Sequence, residues 1–199
     1  MMIIQRSFFS GVTAWNRGPE PAPLHIIPHL WFRNTWAWGH EAEDKKPKIS
    51  KIADNAAHAR HHKLGERYMI LSPSPGVGPS GVDVQPELIF TENDTNNALL
   101  YKGRMRNQKK AINPQENGTK SAAWFSFNEG GGVAPGECAV VRFRMSQKYT
   151  DYLDEEEFDN MMDKRKDEAD EFFYRISPLP MADDLRNIQR QAFAGNDVV

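Results

Sequence analysis

Two short stretches hold most of the side chains that could do chemistry. The first, Leu30 to Trp38, reads Leu-Trp-Phe-Arg-Asn-Thr-Trp-Ala-Trp and contains three of the five tryptophans. Arg33 and Asn34 sit inside that aromatic run and need hydrogen-bonding partners if it is buried. The plain reading is a core strand whose Arg33 pairs with a carboxylate. The second stretch, 91 to 97, reads Thr-Glu-Asn-Asp-Thr-Asn-Asn. Asn and Asp tolerate positive φ and make Asx-turns, so a hairpin loop is expected there. A sugar-binding loop would use the same oxygen-bearing groups. The calcium pattern of an EF-hand is absent.

Other clusters point to structure before chemistry. His58, His61 and His62 lie close together, but a zinc site needs a third or fourth ligand in fixed geometry. A solvated loop or helical turn over 55–62 is expected instead. Lys102 to Lys110 carries five basic residues and no acid. Without interleaved aromatics it reads as an exposed loop, not a nucleic-acid surface. Gly130 to Gly136 is glycine-rich, yet no Gly-Lys-Ser/Thr follows, and the next segment is a strand. Asp154 and Glu157 form a capping box, flanked by Leu153 and Phe158 at the hydrophobic-staple positions. Those carboxylates start a helix and are not a catalytic pair.

The elements that must position these groups follow from periodicity. Leu30 to Trp38, read as a strand, puts Leu30, Phe32, Asn34, Trp36 and Trp38 on one face. Further strands are expected at Ile49–Ala53, Arg67–Leu71, Glu87–Phe90, Ala98–Tyr101 and Ser121–Phe127. In the last of these, Ala123, Phe125 and Phe127 share a face opposite Trp124 and Ser126. Cys138 to Ser146 is the clearest strand, with Val141, Phe143 and Met145 on one side. Met1 to Arg17 shows little pattern, and Gly18 to Pro28, with four prolines, reads as an extended approach segment. After Leu153 the period becomes helical, with a stripe of Phe158, Met161, Met162, Ala169, Phe172, Phe173 and Ile176. Pro178 and Pro180 end that helix. A second runs from about Asp183 to Ala194, with Gly195 as its C′ residue. The fold class is mainly β: an antiparallel sandwich followed by two helices. The domains expected are a poorly defined segment 1–22, a sandwich 23–150, a helical linker 151–195 and a tail 196–199.

The bulk composition narrows the function classes. The chain has 199 residues, 25 basic and 27 acidic, for a net charge of -2. That balance gives no general reason to expect nucleic acid or an anionic membrane as partner. Its lone cysteine, Cys138, allows neither an intrachain disulfide nor a cysteine metal cluster. No apolar run approaches the roughly 20 residues of a membrane span, and the first twelve residues lack a signal-type apolar core. A soluble cytoplasmic protein is expected. The hydrophobic fraction of 39% is low for a self-sufficient globule.

Five blocks in one order resemble the glucosidases of the glycoside hydrolase family 63 type, mannosylglycerate-hydrolase-like members among them. They are Leu30-Trp31-Phe32-Arg33-Asn34-Thr35-Trp36, Phe90-Thr91-Glu92-Asn93-Asp94-Thr95-Asn96, and Asn113-Pro114 with Gly118-Thr119-Lys120. Glu168-Ala169-Asp170-Glu171-Phe172 and Gln189-Arg190-Gln191-Ala192-Phe193-Ala194-Gly195 complete the set. The resemblance covers roughly residues 23 to 195. It implies an N-terminal β-sandwich joined by helices to an (α/α)₆ barrel, with two barrel carboxylates acting as general acid and base on a carbohydrate substrate and inverting the anomeric centre. The barrel would begin after Gly195, where this chain has only Asn196, Asp197, Val198 and Val199. The stretch from Arg104 to Asn113 is also shorter than in the family, so one strand is expected to be missing. The resemblance thus implies a fragment, inactive alone, with no catalytic residue, metal or cofactor of its own. Arg33, Trp36, Glu92 and Asn93 are the residues expected to wall a sugar cleft, since tryptophan faces stack on sugar rings and Arg, Glu and Asn bind hydroxyls. The alternative is a freestanding carbohydrate-binding or protein-interaction module. That module should expose two or more coplanar tryptophans among Trp31, Trp36, Trp38 and Trp124. A fragment should expose an apolar patch along Phe172, Ile188 and Phe193.

Overall fold

The computed structural model describes residues 7–39, 45–94, 112–177 and 180–196. The expected strand Ala98–Tyr101, the basic run 102–110, the end of the 91–97 loop and the last three residues lie outside them. The chain divides into two compact units, Met1–Asp154 and Glu155–Val199, so the β-to-helix boundary falls four residues after the expected one.

The first unit is an antiparallel sandwich of ten strands among the described residues. They are β1 (Ser7–Trp15), β2 (Leu24–Ile26), β3 (His29–Trp31), β4 (Lys48–Ala53), β5 (Ala56–His61), β6 (Gly65–Leu71), β7 (Glu87–Thr91), β8 (Asn117–Gly118), β9 (Lys120–Phe127) and β10 (Cys138–Ser146). One sheet runs β1-β10-β6-β5-β4-β8. In the other, β9 pairs with β2 and β3 along one edge and β7 along the opposite edge. Pro28 separates β2 from β3; it cannot donate to a ladder, but its carbonyl still accepts the Ala123 N–H at 3.0 Å.

Alternation in β9 and β10 builds the core as expected. Ala123, Phe125 and Phe127 are buried against Ala139 and Val141, with Ile49, Ala59, Met69, Leu71 and Phe90 completing the layer. The six-stranded sheet is also covered on part of its other face. Ala56 and Ile70, register partners there, are fully buried. The segment after β10 folds back over that face. Thr150 Oγ1 accepts from the buried Arg144 Nη2 at 2.6 Å, and the Asp151 carbonyl accepts from Asn55 Nδ2 at 3.3 Å.

Several expectations are corrected here. The segment 1–22 is not poorly defined throughout: Ser7–Trp15 forms a nine-residue strand paired along its whole length with β10. It occupies the edge of the sheet and is largely exposed, so it lacks the alternation that marks a half-buried strand. Gly18–Pro28 is extended as expected but contains β2. Residues 55–62 are not a loop or helical turn. Ala56–His61 is a central strand between β4 and β6, where Ala56, Ala57 and Ala59 are small enough to be covered on both faces. Leu30 to Trp38 is not one strand. Pairing stops at Trp31, and Trp36–Trp38 forms a 3₁₀ turn. The Asn34 carboxamide oxygen accepts the Ala37 N–H at 3.0 Å, a side-chain turn that competes with the ladder.

The second unit consists of α1 (Glu155–Ile176) and α2 (Asp183–Asn196). Helix α1 starts one residue after Asp154, where the capping box places it, with three glutamates in its first turn favouring the dipole. Gly195, expected just past the second helix, lies inside it. The helices are joined by the Arg190–Asp170 ion pair, by Arg190 4.8 Å above the Phe173 ring, and by the Phe173–Phe193 contact. Among the described residues no helix is long and apolar enough to cross a membrane.

Truncating Phe125→Ala should destabilise the sandwich by about 3–5 kcal/mol, because its ring is fully buried. Trp31→Ala on the exposed face should cost under about 1 kcal/mol. Urea unfolding of the two variants checks both values.

Candidate functional site

Three segments distant in sequence meet where β3 ends, β7 ends and β9 begins. After Trp31 the chain stays extended, and Leu30, Phe32 and Asn34 remain more covered than Trp31 and Arg33. Asn93 Nδ2 donates to the Phe32 carbonyl at 2.7 Å, and Asn34 Nδ2 donates to the Asn93 carbonyl at 2.9 Å. The two amides thus cross-link strand ends some 60 residues apart in the sequence. Asn34 Nδ2 also meets Asp94 Oδ1.

Thr119 ties β9 into the same cluster. Its hydroxyl accepts the Asn93 backbone N–H at 2.7 Å and donates to Glu92 Oε2 at 3.0 Å, and the residue is 1% exposed. Lys46 Nζ reaches the same Glu92 oxygen at 2.9 Å. Gly118 makes this approach feasible: a Cβ there would stand 2.3 Å from the Thr91 carbonyl oxygen. On the far side, Asn113 N–H donates to the Phe90 carbonyl at 2.7 Å and Asn113 Nδ2 to the Asn117 carbonyl at 2.9 Å. Beyond that turn, the Lys51 pKa is raised by hydrogen bonds from its ammonium to Glu116 and then Asp54.

Of the four expected wall residues, Glu92 and Asn93 lie within this cluster. Asn93 holds backbone in place, while Glu92 is half-exposed and salt-bridged. Arg33 is exposed, and Trp36 is half-buried in the 3₁₀ turn that Asn34 organises. The Trp36 Nε1–H is buried without a hydrogen-bond partner among the described residues. Lys46 and Thr119 belong to the site and were not among the expected residues. Thr119 has a sequence signal, since it follows Gly118 in one of the five blocks; Lys46 has none beyond its charged turn. Among the described residues no three His, Cys, Asp or Glu side chains gather as a metal ion would require.

Replacing Thr119→Val keeps the shape but strips the hydroxyl. It should leave the Asn93 N–H unpaired and destabilise the chain by about 1–3 kcal/mol. Glu92→Gln, which removes only a partly exposed ion pair, should cost under about 1 kcal/mol. Urea denaturation midpoints separate these outcomes.

Comparison with known proteins adds one relative. No family model matches the chain, and no solved structure matches it. It is 34% identical, over an alignment of 221 residues, to an uncharacterized protein of Saccharomyces cerevisiae, YMR196W. That alignment exceeds the 199 residues of the chain, so the yeast protein carries insertions relative to it. The match takes in 92% of this chain and 20% of the yeast protein; the chain therefore spans about a fifth of the length of the curated relative it matches.

Proposed function

We propose that this chain is the β-sandwich and helical linker of a glucosidase-like glycoside hydrolase, inactive alone, whose catalytic carboxylates lie in an (α/α)₆ barrel. The observation that carries this reading is how its five blocks assemble. The first three meet in the cluster of Asn34, Asn93, Glu92 and Thr119. The last two meet through the Asp170–Arg190 ion pair in the helical pair. That blocks scattered over 160 residues fall into two contact groups supports reading them as parts of one design. In this role the Asn34–Asn93–Thr119 clasp sets the loop geometry, and Arg33, Trp36 and Glu92 supply a cation, an aromatic surface and a carboxylate to a sugar cleft. Phe172 and Ile188, 57% and 56% exposed, supply apolar surface for a barrel to cover. A cytoplasmic setting fits the single free thiol, Cys138.

The test uses the yeast relative, produced whole and with the region matching this chain removed. The whole protein should hydrolyse α-glucosides or related glycosides, the shortened one should not, and the 199-residue chain should be inactive. Hydrolysis by this chain alone, or none by the whole relative, overturns the proposal.

One observation favours a second reading, a carbohydrate-binding module. Trp124, 36% exposed, walls a groove of about 340 Å³ with Gln85, Glu87 and Ser126. Its indole N–H donates to His25 Nδ1 at 2.9 Å, and the other imidazole nitrogen lies 3.2 Å from the Asn128 amide. That pairing holds the ring in one orientation. Trp31, on the same face of β3–β9, pairs with Lys120, four residues along β9 from Trp124. Under this reading the chain is retarded in glucan-containing native gels, and Trp124→Ala abolishes the retardation; equal mobility of both proteins with and without glucan rejects it.

A further inference from the structure

A second polar feature adjoins the clasp, and its charge is predominantly positive. Lys45, Lys46, Lys48, Arg60, His61 and His62 line a cleft of about 430 Å³ between the start of β4 and the β5–β6 turn. Of its lining residues only Glu66 is acidic. The whole chain is net negative, so this concentration of cations does not follow from composition.

Strand register places part of that charge where it opposes folding. Lys48 on β4 stands directly across from Arg60 on β5, and Arg60 across from Glu66 on β6. Like charges directly opposite on neighbouring strands are destabilising. Glu66, 3.4 Å from Arg60 Nε, compensates one of the two. Lys46 is neutralised from outside the cleft by Glu92. Lys45 and Lys48 make no ion pair among the described residues. Among the described residues four fixed positive charges therefore face two carboxylates, a surplus of about two, which matches a phosphate monoester at neutral pH. A fold that keeps such a mismatch is expected to do so at a binding site.

The cleft is also rigidly built. The His61 ring packs against both Phe32 and His62, with centroids 5.0 and 4.7 Å away. Its Nδ1 accepts the backbone N–H groups of Lys63 and Leu64 at 3.1 and 3.3 Å. His62 Nδ1, 3.2 Å from the Lys45 carbonyl, anchors the backbone that carries the lysines. Arginine's planar fork matches phosphate geometry, with lysines as supporting point charges. The volume lies in the range of small-ligand sites. Cations gathered in one cleft, on a chain of net negative charge, do not form the extended stripe that a nucleic acid backbone requires.

We propose that this cleft binds the phosphate group of a small phosphomonoester, with Lys48 and Arg60 as its principal ligands and Lys45 as a supporting donor. The Lys46–Glu92 pair and the Phe32–His61 contact connect it directly to the clasp.

Calorimetric titration of the full 199-residue chain tests this with four probes: inorganic phosphate, glucose 6-phosphate, glucose and a short DNA duplex. Glucose 6-phosphate should bind saturably at one site and glucose should not. Lys48→Ala and Arg60→Ala should each weaken binding by about tenfold or more, as loss of one charge-assisted contact predicts. Lys48→Arg should retain it. Because Lys48→Ala removes a like-charge pair, its melting temperature should not fall below that of the parent chain, which separates lost binding from lost folding. Absence of saturable binding, binding of inorganic phosphate but not of the ester, equal affinity in the alanine variants, or tighter binding of the duplex would each overturn the assignment.

Discussion

The sandwich depends on β9 being paired along both edges. On one side β2 and β3 take their register from it across the Pro28 interruption, and on the other β7 does. Its inward residues Ala123, Phe125 and Phe127 form the centre of the core. A slip of one residue would turn all three to solvent and bring Trp124 and Ser126 inside. The same register brings Thr119, just before β9, beside the ends of β3 and β7. The placement of the clasp is thus a consequence of core packing, not a separate device.

The strands legible in the sequence are those with one buried and one exposed face. Cys138–Ser146 and Ser121–Phe127 alternate clearly, and both form strands there, β9 beginning one residue earlier. The elements that were not legible sit at the two extremes of burial. β1 is an edge strand with little buried surface, so its side chains carry no periodic signal. β5 is covered on both sides at Ala56 and Ala57, and close packing there selects small side chains whose strand preference is weak. Its histidines then suggested a polar loop. The helices were legible because capping and period agree: Asp154 and the glutamates that follow mark the start of α1. Gly195 misled because a glycine signals termination only when the chain actually turns left-handed there.

The candidate site was legible as two sets of residues but not as one place. Glu92 and Asn93 stood out by density of polar atoms, and Arg33 and Trp36 by their aromatic setting. Nothing local in either stretch says that Asn93 reaches Phe32, because that bond spans 61 positions and arises only when the sheet closes. The roles separate in the same way. Asparagine amides have both a donor and an acceptor, so they suit backbone cross-links, and Asn34 and Asn93 serve that purpose. Glu92, with its carboxylate half-exposed and paired to a long flexible lysine, is the member of the cluster most able to exchange one partner for another. Lys46 could not be singled out, since a lysine in a charged turn reads as solvated until its distance to a carboxylate is known.

The helical unit follows a different logic from the sandwich. Phe173 and Phe193 face one another and Arg190 bridges to Asp170, yet Phe172, Leu185 and Ile188 remain more than half exposed. Helix α2 has 14 residues, a length at which an isolated helix is marginal in water. One aromatic contact, two cation–π contacts (Arg190 on Phe173 and Arg186 on Tyr174) and one exposed ion pair add modestly to that, the ion pair about 0–1 kcal/mol. Covering what these three apolar side chains still expose, a little over half of each, would contribute about 0.8–1.7 kcal/mol each. Most of the apolar stabilisation available to this pair of helices therefore lies in surface that the pair does not bury on itself. A sequence selected only to make a self-contained hairpin would place Phe172 and Ile188 inward or replace them with polar residues. Their retention on the outside is the feature of the helical unit that calls for a covering surface of complementary apolar character.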